Sequence, residues 1–556
     1  MTVKRGVVGS RGVVATNHPV GSAAGLSALA EGGNAVDAAV TALFTLAVVE
    51  PQMVGLFGAG FFLHRTADGE VVALDDYAVI PAAARADTFD PVVGDLDNAT
   101  TDRANAVGHR AAAVPGALAG WAAMLEAHGT MPLAHAMGPA IRAAEQGHRA
   151  SPFLVQAIRE TADDLALDPP SAAVFLPGGR PPAPGDRLVP ADLAATLHRI
   201  AEHGPDVLYR GPLGAEVAAD FATRGRGWIT EADLADYRLH WREPVRGTYR
   251  GFEITSMPPV SSGGTHIVQI LRLLEGFDVA AMGAGSVAAV HHFLEALKLA
   301  FADRTRYMAD PATTEVPFEW LTSAAYADER RPELRPDEAT SFAAGTAPGL
   351  RGEGDCTTHV TVVDADGGIV STTQTIQSLF GARVTAGGTG LLLNNCMLLM
   401  DPVPGRTNSV APGKRVLSSM SPTIVSRDGR PWFALGTPGG KRIFSSVTQA
   451  ILNVVDHGLT LQEAVEAPRV WTEGAGVLVE DGFADLDGLV AGLEALGHPV
   501  EVTQKIVGGM NAVLVDDEGL LHGSADWRSD GAPAALAGGP ARLTDRAHDL
   551  GESPAR

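Results

Sequence analysis

Apolar residues recur at helical spacing in four stretches of the chain. Ala23 to Ala30 runs into Glu31-Gly32-Gly33-Asn34, which predicts a short helix with a glycine stop, and Ala35 to Val49 predicts a buried helix ended by Pro51. Two more helices are expected from Ala117 to His128 and from Ala288 to Tyr307, the second carrying Glu295, Lys298, Asp303 and Arg304 on a charged face, either solvated or in structural pairs. The glycines from Gly55 to Gly60 predict a close backbone approach, because no phosphate-binding glycine motif is completed there. Residues 176–187 and 330–355 are rich in Pro and Gly and lack periodicity, so they read as loops or linkers. After the second of these the pattern turns to β-formers in HVTVVDADGGIVSTTQTI, interrupted by the turn signal Asp364 to Gly368. A hairpin centred near Asp366 pairs residues whose numbers sum to about 732, which sets Thr357 opposite Thr375 to within one residue.

Composition narrows the class. The 556 residues are 46% hydrophobic, enough for a substantial core. A net charge of −23 with no basic run opposes nucleic acid and anionic membranes as partners. The two cysteines, Cys356 and Cys396, make no disulfide framework and no zinc spacing, so a reducing, cytoplasmic setting is expected and no metal site or cofactor is predicted. The start of the chain carries no apolar stretch of export type, and the 12-residue run from Ala38 to Val49 is short of the roughly 20 needed to span a bilayer. A soluble protein acting on a small molecule is the expectation.

A threonine beginning a strand, with a second threonine facing it, is common in sheets and by itself means little. The wider sequence gives it meaning. Nine segments occur in order: AEGGNAVDAAV (30–40), VPGALAGWAAMLEAHGTMPL (114–133), SMPPVSSGGTHIVQIL (256–271), ADRTRYMADP (302–311), CTTHVTVVDADG (356–367), GTGLLLNN (388–395), KRVLSSMSPTIV (414–425), GTPGGKRI (436–443) and SADWRSDG (524–531). Together they resemble the γ-glutamyltranspeptidase family of N-terminal-nucleophile hydrolases over nearly the whole chain.

The resemblance implies an α/β fold, the four-layer αββα sandwich of that superfamily. It also implies a precursor that cuts itself before Thr357, giving a large chain, 1–356, that ends in a mobile linker at 330–356, and a small chain, 357–556, which together form a heterodimer. A free Thr357 would carry nucleophile and base in one residue, because its α-amine, with a pKa of about 8, can take the hydroxyl proton. By the same resemblance Thr375 orients the Thr357 hydroxyl, and Gly439 and Gly440 donate backbone N–H groups to the oxyanion. Cys356 is a neutral leaving segment with no catalytic role.

The pocket for the substrate head group departs from the family pattern. Ser418 and Ser419 are kept, but the carboxylate-binding Arg aligns with Tyr77, the Asn two after the second Thr is Gln377, the Gln or Glu is Cys396, and the Asp is Leu399. Asp401 is near enough in sequence to substitute for that Asp, and Arg383, where the family has a small residue, is either a new acid-binding cation or an ordinary loop arginine. Losing the acid that pairs an α-ammonium disfavours a γ-glutamyl substrate. Residues 401–414 form a shorter lid than usual, so an open, hydrolytic cleft is expected.

The sequence therefore points to a self-processing threonine hydrolase that cleaves an acyl bond with a non-standard head group, in specialised metabolism such as antibiotic biosynthesis. The alternatives are a γ-glutamyl hydrolase or transferase acting on glutathione-like compounds, a C–C bond hydrolase that releases an oxalyl unit in 4-alkylproline antibiotic pathways, and a catalytically silent scaffold.

Overall fold

The computed structural model describes residues 2–92, 98–342, 355–474 and 476–538. Helix α1 (Pro19–Ala30) begins a turn earlier than the apolar spacing predicts, because Pro19 suits the first helical position and the His18 ring accepts the Val20 N–H. Helix α2 (Ala35–Val49) has the predicted bounds. Asn34 and Asp37 form a capping box at its start, and all 15 of its residues are buried, as expected of a helix that is apolar on every side.

Thirteen strands form the main sheet: β1 (Val7–Thr16), β2 (Ala59–Arg65), β3 (Val71–Asp76), β4 (His240–Arg242), β5 (Val245–Tyr249), β6 (Phe252–Ser256), β7 (Asp355–Asp364), β8 (Ile369–Ser378), β9 (Thr423–Arg427), β10 (Arg430–Gly436), β11 (Asn511–Val515), β12 (Leu521–Ala525) and β13 (Ala534–Gly538). Their order is β4-β3-β2-β8-β7-β1-β12-β11-β10-β9-β6-β5, with β13 also on β1. Neighbouring strands in it run antiparallel. The sheet curls so that β7 and β8 lie across from β10 and β11.

The remaining helices used below are α3 (Ala117–His128), α4 (Pro152–Leu165), α5 (Gly263–Leu274), α6 (Val287–Tyr307), α7 (Ile443–Val455) and α8 (Leu461–Glu466). One layer, α1 and α2, packs on β1, β7 and β8; the other packs α5 on β5 and β6, α7 on β10, and α8 on β11 and β12. This is the expected αββα sandwich, with its two sheet layers joined into one hydrogen-bonded path.

The hairpin has the predicted register. Six pairs from Ile369↔Val363 to Gln374↔Thr358 keep the sum, and a bulge then shifts the pairing to Gln377↔Cys356. Close approach explains Gly58, just before β2, where a Cβ would stand 2.4 Å from the Thr375 carbonyl oxygen, but not Gly55, where a Cβ would meet nothing nearer than 3.4 Å.

The charged face of α6 is not solvated. Glu295, Lys298 and Asp303 are all buried, and Lys298 Nζ donates to Glu295 at 2.8 Å. That face also holds down the start of the predicted mobile linker: the Thr340 N–H donates to Glu295 at 2.8 Å, and the Arg335 carbonyl oxygen lies 2.6 Å from His291 Nε2. Residues 343–354 of the linker lie outside the described residues, as does the Cys356 side chain.

Buried Asp37 joins α2 to the α3 exit. Its carboxylate accepts from Asn34 N, Thr130 N, Thr130 Oγ1 and Met131 N at 2.7–2.9 Å. Asp37→Ala leaves three backbone N–H groups without that partner, and its unfolding free energy in denaturant titrations is expected to fall by about 3–5 kcal/mol.

Candidate active site

Strand β7 lies between β1 and β8, so its ladder is satisfied on both sides, but β1 reaches only as far as Val360. Thr357 stands beyond that end, at the bulge. Its Oγ1 donates to Thr375 Oγ1 at 3.2 Å, and the Gln377 N–H donates to the same Thr375 oxygen at 2.8 Å. The second bond needs a sharp backbone turn, and Gln377 accordingly has φ of +84°. Thr375 is held from behind by its pairing with Ala59 of β2.

Two residues along the same strand, His359 could have been a base for the hydroxyl. The structure gives it other work: Thr373 and Thr361 hydroxyls occupy its two nitrogens at 2.8 and 2.9 Å. Burial between the sheets pushes its pKa down to about 3, so it stays neutral.

Thr357 faces a cleft with about 280 Å³ of empty space. Of the residues singled out in the sequence, Tyr77, Gln377, Leu399, Ser418, Ser419 and Gly440 line it. The Tyr77 ring stacks on Phe61 with centroids 4.8 Å apart, and its carbonyl accepts from Arg415 Nη1 at 2.7 Å. Ser418 and Ser419 are clamped to the start of α5, where Ser262 N and Oγ both donate to the Ser418 carbonyl, at 2.9 and 2.8 Å. Gly439, next to Gly440, has φ of +133°, and a Cβ there would overlap Val507 Cγ2 at 1.7 Å, so only glycine fits this approach to the cleft.

Three sequence expectations are corrected. Cys396 does not line the cleft: the turn at Cys396–Leu399 aims Leu399 toward the cleft while Cys396 is packed in the core, where burial pushes its thiol well above the usual range. Arg383 is neither a substrate cation nor a solvated loop residue, because it pairs with Asp164 of α4, which also binds Arg103 at 2.9 Å. Asp401 does not replace the missing acid; it accepts from Val403 N at 2.8 Å and pairs with Arg406 at 3.1 Å, and no residue of 401–414 lines the cleft.

Two cleft cations escaped the sequence reading. Arg304 was seen only as a helix charge; its Nε donates to Ser262 Oγ at 3.0 Å, and Ser262 Oγ is 3.3 Å from Ser419 Oγ. Lys441 follows the Gly439–Gly440 pair and meets Glu473 at 3.1 Å. Both lie in segments that had carried the resemblance, which was the available signal. Elsewhere, His291, Glu295 and His498 converge within 4.8 Å, but Lys298 on Glu295 already supplies the positive charge that a metal ion would bring.

A central strand with a threonine near its start, inside an antiparallel αββα sandwich, fits the architecture of N-terminal-nucleophile hydrolases. Residues 21–536 match the family described as Gamma-glutamyltranspeptidase. The chain belongs to the γ-glutamyltranspeptidase family and is an enzyme of its hydrolase and acylase kind. It is 50% identical to the Acylase ACY 1 proenzyme of Pseudomonas sp. (strain SE83), over 98% of this chain and 97% of that one. It is 39% identical to the Glutathione hydrolase proenzyme of Escherichia coli (strain K12), over 93% and 90%. The crystal structure of cephalosporin acylase from Bacillus halodurans superposes with a TM-score of 0.87 at 30% identity, covering 97% of this chain and 98% of that one.

Thr375→Val removes the oxygen shared by the Thr357 hydroxyl and the buried Gln377 N–H. Chemical denaturation is expected to give a loss of about 1–3 kcal/mol, whereas Thr375→Ser, which keeps the hydroxyl, stays close to the parent.

Proposed function

We propose that the chain cuts itself between Cys356 and Thr357, and that Thr357 then acts as the nucleophile of an acylase. Its preferred acyl group carries a carboxylate and no α-ammonium. The observation that supports this is the charge of the cleft: Arg304, Lys441 and the hydroxyls of Ser418 and Ser419 line it together with Tyr77 and Leu399, and among the described residues no carboxylate lines it. Cations and hydroxyls favour an acid group. An ammonium would meet the like charges of Arg304 and Lys441, and the nearby Glu473 is already engaged by Lys441.

In the uncut chain the Thr357 Oγ would attack the Cys356 carbonyl carbon and water would release the ester, leaving a free α-amine. In the mature protein that amine takes the hydroxyl proton as Oγ attacks the substrate carbonyl. The oxyanion is stabilised by N–H groups of Gly439 and Gly440, the amine product leaves with the proton, and water frees the acid from Oγ. The relatives named acylase and cephalosporin acylase favour removal of an acyl group from an amide. The relative named glutathione hydrolase keeps a γ-glutamyl substrate as the competing reading.

A denaturing gel tests the cut: fragments of about 37 and 21 kDa are expected in place of 57.6 kDa, and Thr357→Ala should stay whole. A single uncut band from the parent chain would end this reading. For specificity, a dicarboxylic-acid monoanilide is compared with its γ-glutamyl and uncharged counterparts. We expect the first to be cleaved fastest, with Lys441→Met lowering its kcat/KM by about 10–100-fold and leaving the uncharged anilide little affected. Preference for the γ-glutamyl anilide would overturn the acid-group claim.

A further inference from the structure

Behind the strand that carries Thr357 lies a buried acid that the reaction above does not use. Glu50 ends α2 and is 1% exposed. Its Oε2 accepts the hydroxyl of Thr358 at 2.7 Å, the residue directly after Thr357. The loop that Glu50 begins also braces β8: the Met53 carbonyl accepts the Ile376 N–H at 3.2 Å, and the Gln52 carbonyl accepts the Phe380 N–H at 3.2 Å. One short segment therefore steadies both strands of the candidate nucleophile.

A cut before Thr357 would give this contact a particular importance. In the continuous chain, Asp355 and Cys356 extend the β7 ladder onto Ser378 and Gln377. Once those residues belong to another chain, Thr358↔Gln374 is the first remaining pair, and Thr358–Glu50 is the side-chain anchor at that pair. We propose that Glu50 is a positioning residue for the new N-terminus, fixing its first residues through Thr358 and setting the proton balance of the Thr357 α-amine. The proposal rests on the reading of Thr357 as an N-terminal nucleophile.

The electrostatics fit that role. Burial, more than any other cause, pushes the Glu50 carboxyl up to about 8; the Thr358 hydrogen bond lowers it, and Asp530 raises it again. Asp530 in turn faces Lys4 and His18. The negative end of α2 also disfavours a carboxylate at this position. A free α-amine titrates at about 8 as well, so the acid held by Thr358 and the amine one residue before it would change charge in one pH range. An ionised Glu50 stabilises the ammonium and so raises the basicity of the amine; a neutral amide does not. Replacing Glu50 by Gln keeps an oxygen for Thr358 but removes the charge, and so lowers the pKa of the amine.

The test measures the amine directly, by competitive acetylation of the matured protein across pH with mass spectrometry of the N-terminal peptide. Glu50→Gln is expected to lower the amine pKa by about one unit. An unchanged amine pKa would overturn the charge role. Anchoring is read by hydrogen exchange over 357–361, where Glu50→Ala and Thr358→Val are each expected to exchange about tenfold faster and Glu50→Gln to remain near the parent. Unchanged exchange in both anchor-deleting variants would overturn the positioning role. Failure of the nucleophile reading is seen separately, as absence of the cut on a gel, and the exchange measurement still tests the Glu50–Thr358 anchor in the uncut chain.

Discussion

A strand end has to lie in the middle of a sheet without losing the order that the sheet confers, and the rest of the site depends on how that is achieved. Strand β7 is held by β8 on one side and β1 on the other, yet β1 stops at Val360 and the β8 ladder breaks at the bulge after Gln374. Thr357 falls in that gap. Its hydroxyl stays buried but faces the cleft, and Thr375, held by the Gln377 N–H on the bulged strand, gives it its direction. The glycines at 58 and 439 follow from the same geometry, since each allows backbone to come close where a Cβ would collide.

The electrostatics of the cleft run against those of the whole chain. A protein with a net charge of −23 lines its cleft with Arg304 and Lys441 and, among the described residues, with no carboxylate. Net charge governs behaviour at a distance, through solvent and salt, whereas a ligand in a narrow cleft responds to the few groups it touches. The two scales are independent here.

Chain topology explains how a cut at residue 357 could leave the fold standing. Strands from before the junction, β2 and β1, flank β8 and β7, and β5 and β6 close the far end beside β9. Neither part owns the main sheet, whose strands come from both sides of the junction. Separating them would break ladders on several strands together, so the two pieces would share one core and one cooperative unit.

Much of this was legible in the residues. The hydrophobic pattern fixed the bounds of α2 and α3, and the turn signal from Asp364 to Gly368 gave the hairpin its register, because helical periodicity and turn geometry are local properties. The facing of Thr357 and Thr375 followed from counting alone. Local pattern could not tell which way a side chain turns once loops fold back. Cys396 and Leu399 are three residues apart, yet one is packed in the core and the other lines the cleft. Arg383 was claimed by Asp164, more than two hundred residues away, and Arg304 was read only as part of a charged helix face, solvated or structurally paired, although its helix abuts the serine pair. The sequence by itself determined the elements, the hairpin and the family. Only the tertiary structure decided which charges meet the substrate cleft, because that depends on contacts between segments whose separation along the chain carries no record of their distance in space.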